Sequence, residues 1–549
     1  MAQLLAFVIA IIWAFGAGRR VYRQARFYQI EEYKTARYLR WLLSHPGRAL
    51  PLRPLAAWGF AVAVSMFTDT VPGSFALMPY LAGLAAALVG QHPPAEAPIK
   101  KQFVATPRAR RILATAFVVM GITGLLVFRF VAQEFSQTDR GLSIVSGLLG
   151  LLLLLAAPVW LVLGNWLMTP VEAVLRARFI RRARAALAAV NPRVVGITGS
   201  YGKTTTKQFL RDILNVRYKA YATPKSYNTM MGVCIAINND LANDYSVDYF
   251  ICEMGAYIRG EIRRICDLTP PDISIVVEVG PQHLERFGSL ENIAIAKYEI
   301  IKALKPTGLG VFNYDNPYVR EMHDRGYPAQ RIAVSRAVDP AAVTDGVPRF
   351  VASSITETLN GLSFAVTDTV TKEEAFFQTP VVGEHNVTNI LLATAVAVHE
   401  GVRLDEVARR VRRLAPAESR LVIQTNERGV HVINDAYSAN PVGIISSLKV
   451  LGMYRTGRRV LITPGMVELG DMHDQENARL GTLATQYATD VILVGPRQTA
   501  PIRQAVLATA FPPERLQTVN HVAEAIAWYQ ANLAAGDAVL LLNDLPDTY

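Results

Sequence analysis

GITGSYGKTTTK, residues 196 to 207, lies between the apolar pair Val194 and Val195 and a helix-like segment, Phe209 to Leu214. It therefore falls where a strand turns into a helix. Glycines at 199 and 202 let the backbone fold tightly, and the N–H groups of the loop, Ser200 among them, and of the helix start around Thr205 can cradle phosphate oxygens. Lys203 supplies a point charge to the outer phosphates and the Thr204 hydroxyl a Mg2+ ligand. The general phosphate-loop spacing calls for glycine at 197, where this chain has Ile197; its extra glycine is Gly196. With a strand before it, a helix after it and three threonines in its mouth, the loop reads as a nucleotide site.

The 549 residues predict several domains, and a mean hydropathy of +0.22 with half the chain hydrophobic points to membrane segments. Cys234, Cys252 and Cys266 form no metal-ligand spacing and read as reduced, buried thiols. The net charge of +11 could suggest nucleic acid, but residues 18–54, 92–111 and 171–190 together carry +15. The basicity belongs to the first third, and no nucleic-acid face is expected.

Apolar runs occupy Leu4 to Ala17, Leu55 to Phe67, Phe75 to Val89, Ile112 to Val131 and Leu142 to Leu167. The last two meet the usual requirement of roughly 20 residues for a helix that crosses the hydrocarbon. Lys/Arg-rich loops stay cytoplasmic, so five spans with the N-terminus outside predict catalytic domains in the cytoplasm, anchored to the inner membrane. The first run lacks a basic leader, and Arg19, Arg20 and Arg23 follow it, which favours a retained anchor over a cleaved signal. Residues 171–190, with Arg176, Arg178, Arg181, Arg182 and Arg184, predict a basic linker helix, either interfacial or solvated.

From Asn191 onward short β-branched runs alternate with amphipathic segments, the pattern of parallel α/β sheets. Such sheets place ligands at the C-terminal ends of their strands. DYFICEMGA ends a strand in Glu253, where a carboxylate can reach Mg2+ on the phosphates; alone, such a glutamate is equally a helix cap or an ion-pair partner. ISIVVEVGPQHLERFGSLENIAIAKYEII carries His283 in a loop and Lys297 on the following helix. VVGEHNVTNILLATAVAV places His385, Asn386 and Asn389 at a helix start, where amides can bind a purine edge or cap the helix. VINDAYSANP sets Asp435, Tyr437 and Asn440 beyond a strand.

GITGSYGKTTTK, EMGA, VGPQHLERFGSLENIAIAKYEI, NYDNP, GEHNVTN and INDAYSANP resemble, in order and rough spacing, the motifs of the Mur ligases over about residues 190 to 500. Within the family they are most similar to the ligases that add D-alanyl-D-alanine to a UDP-linked muramoyl tripeptide. The resemblance implies a P-loop-type central ATP-binding domain over residues 191–418 and a Rossmann-like C-terminal domain over 419–549; ahead of them the apolar runs predict a transmembrane region of about five helices over 1–170. It implies Lys203 and the glycines on ATP phosphates, Thr204 and Glu253 on one Mg2+, His283 on a second, and Lys297 carbamylated by CO2 to support it. Asn386 and Asn389 would sit at the adenine, Arg420 and Asp435 would face the nucleotide, and Asn228, Thr229, Tyr437 and Asn440 would meet substrate. Family members transfer the γ-phosphate to a carboxylate, and an amine attacks the resulting acyl phosphate; the transferring phosphoryl carries concentrated charge that Mg2+ and lysine stabilise.

Three departures bear on the substrates. Membrane runs stand where the family's UDP-binding domain is expected, the chain ends LLLNDLPDTY instead of in a Lys-Gly-Ser-Arg type segment, and TPGM (Thr463 to Met466) replaces Leu-Gly-Asp-Met, although Glu468, Leu469 and Gly470 match. The carboxylate substrate is therefore expected to be held by the membrane, as a lipid or lipid-linked envelope precursor, with a soluble UDP-linked substrate as the other reading. A membrane ligase of another polymer such as poly-γ-glutamate, and an inactive nucleotide-binding scaffold, are the alternatives.

Overall fold

The computed structural model describes residues 2–68, 77–92, 103–134, 139–437 and 439–543. Most of the inter-run loops at 68–74 and 92–111, part of the loop at 132–140, and the last six residues lie outside them. The chain forms two units, Met1–Arg178 and Phe179–Pro546.

The first unit is helical. Ala2–Ile30, Pro107–Glu134 and Ala157–Val190 contain stretches long and apolar enough to cross a membrane, while Leu52–Phe67, Met78–Gly90 and Gly141–Leu155 are shorter apolar helices. This corrects three expectations. The first helix does not end with its apolar run but continues through Arg19 and Arg23 to Ile30. The run Leu142 to Leu167 is not one helix; it breaks at Ala156. Pro158 explains the break, since proline lacks an N–H and its ring crowds the carbonyl four residues back. That carbonyl, Leu154 O, accepts instead from Arg20 Nη1 at 2.9 Å, and the neighbouring Leu153 O accepts from the Trp160 indole at 3.0 Å. Arg20 also donates to Arg48 O and Ala49 O, and so is buried as a structural donor and does not lie in a loop. Residues 171–190 are likewise no separate helix but the end of Ala157–Val190; Ala183 and Leu187 are buried in the core of the second unit.

The second unit is built on two sheets. Strands β1 (Arg193–Thr198), β2 (Ala220–Ala222), β3 (Tyr249–Glu253), β4 (Ile273–Val276), β5 (Leu309–Asn313), β6 (Gln330–Ser335), β7 (Phe350–Thr358), β8 (Gly361–Asp368) and β9 (Glu374–Thr379) lie in the order 2-3-1-4-5-6-7-8-9. Strands β10 (Val422–Thr425), β11 (His431–Asp435), β12 (Arg459–Thr463), β13 (Asp490–Val494), β14 (Leu516–Val519) and β15 (Ala538–Leu542) lie in the order 10-11-15-12-13-14. Both sheets are mixed, where parallel sheets were expected: β7, β8 and β9 pair antiparallel, as do β10 and β11.

β1 is central, parallel to β3 on one side and β4 on the other, so the loop after it opens between the ends of both neighbours. Successive side chains of a strand face opposite ways. Val195 and Ile251 join one core with helix His385–His399, while Val194, Phe250 and Cys252 join another with helix Leu290–Lys302. The sheet is thus covered on both faces, as parallel sheets require. Helix His385–His399 is buried nearly all round, and Leu391 is fully enclosed. Leu391→Ala is expected to cost about 2–5 kcal/mol, read as a lower urea midpoint by circular dichroism.

Candidate active site

The phosphate loop is fastened to the segment that follows β4. Ser200 N donates to Glu278 O at 2.7 Å and Ser200 Oγ to Gly280 O at 2.9 Å. Gly202 sits at φ +77°, and a Cβ there would lie 2.6 Å from Asn389 Oδ1, so only glycine fits. Lys203 opens helix Lys203–Leu214 and folds back, donating to Gly199 O (2.5 Å) and Ser200 O (3.1 Å). Burial pushes its amine down to about 8, against the pull of Glu253.

Glu253, at the end of β3, is buried and fully engaged. Oε2 accepts from Thr204 Oγ1 and from Lys207 Nζ, both at 3.0 Å, and Oε1 accepts from Asn228 Nδ2 at 3.1 Å. Burial alone would raise its carboxyl; Lys207 and Lys203 outweigh that and hold it below the usual range. Lys207 Nζ also donates to Lys225 O. The lysine and glutamate side chains are only 2% and 1% exposed, so this is a dry ion pair.

Lys297 is 3% exposed on helix Leu290–Lys302. It lies 6.0 Å from the Phe287 ring centroid, and burial, with Lys203 adding to it, drives its amine well below the ordinary lysine range. His283 adopts a left-handed backbone (φ 56°) and packs its ring 4.4 Å from Tyr257. Its Nδ1 is bonded to Glu468, and burial pushes the imidazole below its ordinary value despite that carboxylate.

Asn386 and Asn389 are buried and bonded inward. Asn386 Nδ2 donates to Val382 O, Asn389 Nδ2 to Asn386 Oδ1, and Thr206 Oγ1 to Asn389 Oδ1. They tie the helix start to the phosphate-loop helix and do not cap their own helix, whose N-cap position is Glu384. From the C-terminal domain, Arg420 donates to Thr204 Oγ1 at 3.4 Å and lies over the Tyr437 ring at 4.3 Å. Asp435, its carboxyl raised by burial, accepts from Leu421 N and Ser447 Oγ and so fixes the turn that carries Arg420. Tyr437 donates to Ser226 Oγ, and Asn440 Oδ1 accepts from Val442 N and Gly443 N ahead of helix Gly443–Gly452.

One cavity of about 540 Å3 is lined by Ser200, Gly202, Lys203, Thr204, Thr205, Asn228, Glu253, His283, Lys297, Asn386, Asn389, Arg420, Asp435, Tyr437 and Asn440. Gly199 and Thr229 do not line it: Gly199 is the turn beneath, and Thr229 Oγ1 accepts from Gly232 N as the N-cap of helix Met230–Ala236. The structure adds residues that sequence reading did not assign. Lys207 is one turn beyond Lys203 on the same helix, a spacing that could have flagged it. Glu278 also lines the cavity, with Asn313 and Asn316 donating to its carboxylate, and burial pushes it up to about 7. Asp315, within the NYDNP motif, accepts from Ser335 Oγ and Arg336 N.

Thr204 Oγ1 and the Glu253 carboxylate, 3.0 Å apart, are hard oxygen donors. Mg2+ takes one or two such ligands and completes its shell with phosphates and water, so the pair fits that ion. Among the described residues no larger His, Cys, Asp or Glu cluster is gathered to hold a metal.

Residues 197–397 match the family model of the Mur ligase middle domain, and residues 419–543 that of the Mur ligase glutamate ligase domain. The chain belongs to the Mur ligase family. It is an ATP-dependent, ADP-forming amide ligase. It is similar to the UDP-N-acetylmuramoyl-tripeptide–D-alanyl-D-alanine ligase of Bacillus subtilis, 26% identical over 359 residues, or 65% of this chain and 74% of that one. The ligase of the same name from Mycobacterium tuberculosis H37Rv is 32% identical over 382 residues, 67% of this chain and 70% of that one. Among solved structures, MurF from Acinetobacter baumannii covers 68% of this chain and 78% of its own at 24% identity and TM-score 0.58. MurF from Thermotoga maritima in complex with ADP covers 67% and 80% at 22% identity and TM-score 0.57; both are likenesses of fold.

Two outcomes follow for this Mur ligase. Lys207→Met leaves a buried carboxylate unpaired and should destabilise the protein by about 3–5 kcal/mol, measured by urea unfolding. Glu278 titrates higher folded, about 7, than unfolded, so the folded state holds the extra proton between roughly pH 4.5 and 7 and stability falls as pH rises through that window. Thermal midpoints from pH 5 to 8 should show this decline in the wild type and a shallower one in Glu278→Gln.

Proposed function

We propose that this chain is a membrane-anchored ligase of envelope synthesis that activates the carboxylate of a muramoyl peptide with ATP and joins it to D-alanyl-D-alanine or a similar short amine. The observation that carries the reading is the convergence of Lys203, Thr204, Glu253, His283 and Lys297 with Arg420, Asp435 and Tyr437 from the C-terminal domain on one cavity. Lys203 and the loop N–H groups receive the ATP phosphates. Thr204 and Glu253 would hold Mg2+, which would supply charge neutralisation for transfer of the γ-phosphoryl to the carboxylate. The amine then attacks the acyl phosphate carbon, expelling phosphate and forming the amide.

A neutral lysine amine adds to CO2, loses a proton and becomes a carbamate. Lys297, buried and depressed, is suited to that change and would then serve a second Mg2+ beside His283. All four of Lys203, Glu253, His283 and Lys297 are in place, which argues against an inactive scaffold. The named relatives favour a muramoyl-peptide substrate over poly-γ-glutamate. Three helices long enough to span a bilayer support an anchor; on this reading the ligase lies on the cytoplasmic side and its carboxylate substrate is a lipid-linked precursor.

ADP release by the detergent-purified protein, with Mg2+, bicarbonate and D-alanyl-D-alanine, tests this. Lipid-linked muramoyl tripeptide should stimulate release, and Lys203→Ala should abolish it. Stimulation by the UDP-linked tripeptide alone would reduce the helical unit to a tether, and silence with both would overturn the substrate assignment.

A further inference from the structure

Along the helix Ala157–Val190 the exposed large side chains change character at one point. Trp166, Leu167, Val171, Val174 and Leu175 are apolar; from Arg176 onward every exposed large side chain is an arginine, and no acidic residue follows Glu172 in the helix. A helix shows this change where it leaves hydrocarbon for the headgroup layer. From Phe179 the helix belongs to the second unit. Ala183 and Leu187 are buried there in one core with Ile262, Ile265 and Cys266, while Arg181, Arg182 and Arg184, on the remaining sides, stay in water. The helix Glu261–Leu268 likewise buries its isoleucines and turns Arg263 and Arg264 outward. Arg184 Nη2 donates to Asp267 O at 3.3 Å and ties the two segments together.

Ahead of Glu261–Leu268, a turn leaves Ile258 51% exposed next to an exposed Arg259. The turn is pinned. Glu261 Oε2 accepts from Tyr257 N at 2.7 Å, Glu299 Oε1 accepts from Gly260 N at 2.6 Å, and Arg259 Nη1 donates to Asn292 Oδ1 at 3.3 Å. Residues 179–190 and 257–268 thus present six exposed arginines. Their two acids are engaged: Glu261 in the turn, and Asp267 at 3.7 Å from Arg263. The same turn borders the catalytic cavity, which Ala256 and Tyr257 line.

We propose that these arginines bind anionic phospholipid headgroups of the bilayer that the helix crosses, and so hold the Tyr257–Ile258 rim of the cavity at the membrane surface. Arg181 follows Leu175 by six residues, roughly 9 Å of helix, and a headgroup layer is roughly 5–8 Å deep. The guanidinium groups therefore fall within the Debye length of about 8 Å over which lipid phosphates attract them. RNA offers similar phosphates, but the continuity with an apolar helix and the exposed isoleucine favour lipid, since only lipid also receives an apolar side chain. This placement rests on the membrane-anchored reading of the ligase and adds to it a direction: the cavity opens where a lipid-linked carboxylate would arrive.

Cys234, Cys252 and Cys266 are buried, so Ile258→Cys gives the full-length chain one accessible thiol for a nitroxide label. Electron paramagnetic resonance then reads how freely a neutral nickel chelate in water reaches the label, with the protein in lipid nanodiscs. Discs of phosphatidylcholine mixed with phosphatidylglycerol should lower that accessibility relative to phosphatidylcholine alone, and high salt should restore it. Replacing Arg181, Arg182, Arg184, Arg263 and Arg264 together by glutamine should abolish the loss. A label at Val370→Cys, on the turn between β8 and β9, should not respond to lipid composition. Equal accessibility in both lipids, a loss that survives removal of the arginines, an equal loss at residue 370, or a response to added RNA but not to phosphatidylglycerol would each overturn the proposal. Failure of the anchor reading would appear separately, as protein left outside the discs; the label is then read with added vesicles of the two compositions, and indifference to the anionic ones overturns the proposal as well.

Discussion

A carboxylate taken out of water persists as an anion only if positive charge and hydrogen-bond donors meet it there, and Glu253 is met by Lys207, Thr204 and Asn228. This small knot joins the end of β3 to the first turns of the phosphate-loop helix. It sets how deep that helix sits against the sheet and keeps the carboxylate charged beside the glycine-rich loop. Such a pair is weak support for stability in itself, because both ions give up their hydration. Its value here is positional: it holds an ionised oxygen donor within 3.0 Å of the Thr204 hydroxyl.

The second constraint is division of labour between domains. The middle domain holds the loop, the strand-end carboxylate and the buried lysine on rigid elements, while Arg420, Asp435, Tyr437 and Glu468 come from the other domain. On the proposed reading a nucleotide bound between them would meet residues of both, the arrangement expected of an enzyme that closes on its substrate.

Local features were legible in the sequence and distant ones were not. The strand–loop–helix around Lys203 shows itself through glycines and a change of hydrophobic period, and the strands flanking it through β-branched runs. Lys207 stands within the same quoted stretch, yet its role depends on where β3 lies, which no local pattern states. The antiparallel β7 to β9 carry no continuous apolar run that would mark them, because buried residues alternate with half-buried or exposed ones along much of their length. In the helical unit, uniform hydropathy from Leu142 to Leu167 concealed the break at Ala156, although Pro158 was its visible cause. Arg20 looked like a loop charge and is instead the donor that satisfies the carbonyl this proline frees. The bond between His283 and Glu468 spans 185 residues and is a product of domain docking alone.

In the proposed reaction the γ-phosphoryl group passes to a substrate carboxylate held beside Lys203. The most direct measurement labels the terminal carboxylate of a lipid-linked muramoyl tripeptide with oxygen-18 and follows the phosphate released during turnover with D-alanyl-D-alanine. Transfer through an acyl phosphate leaves one labelled oxygen in the phosphate, visible by mass spectrometry. Phosphate without label, released at the same rate as ADP, would mean that water takes the phosphoryl group and would contradict the account.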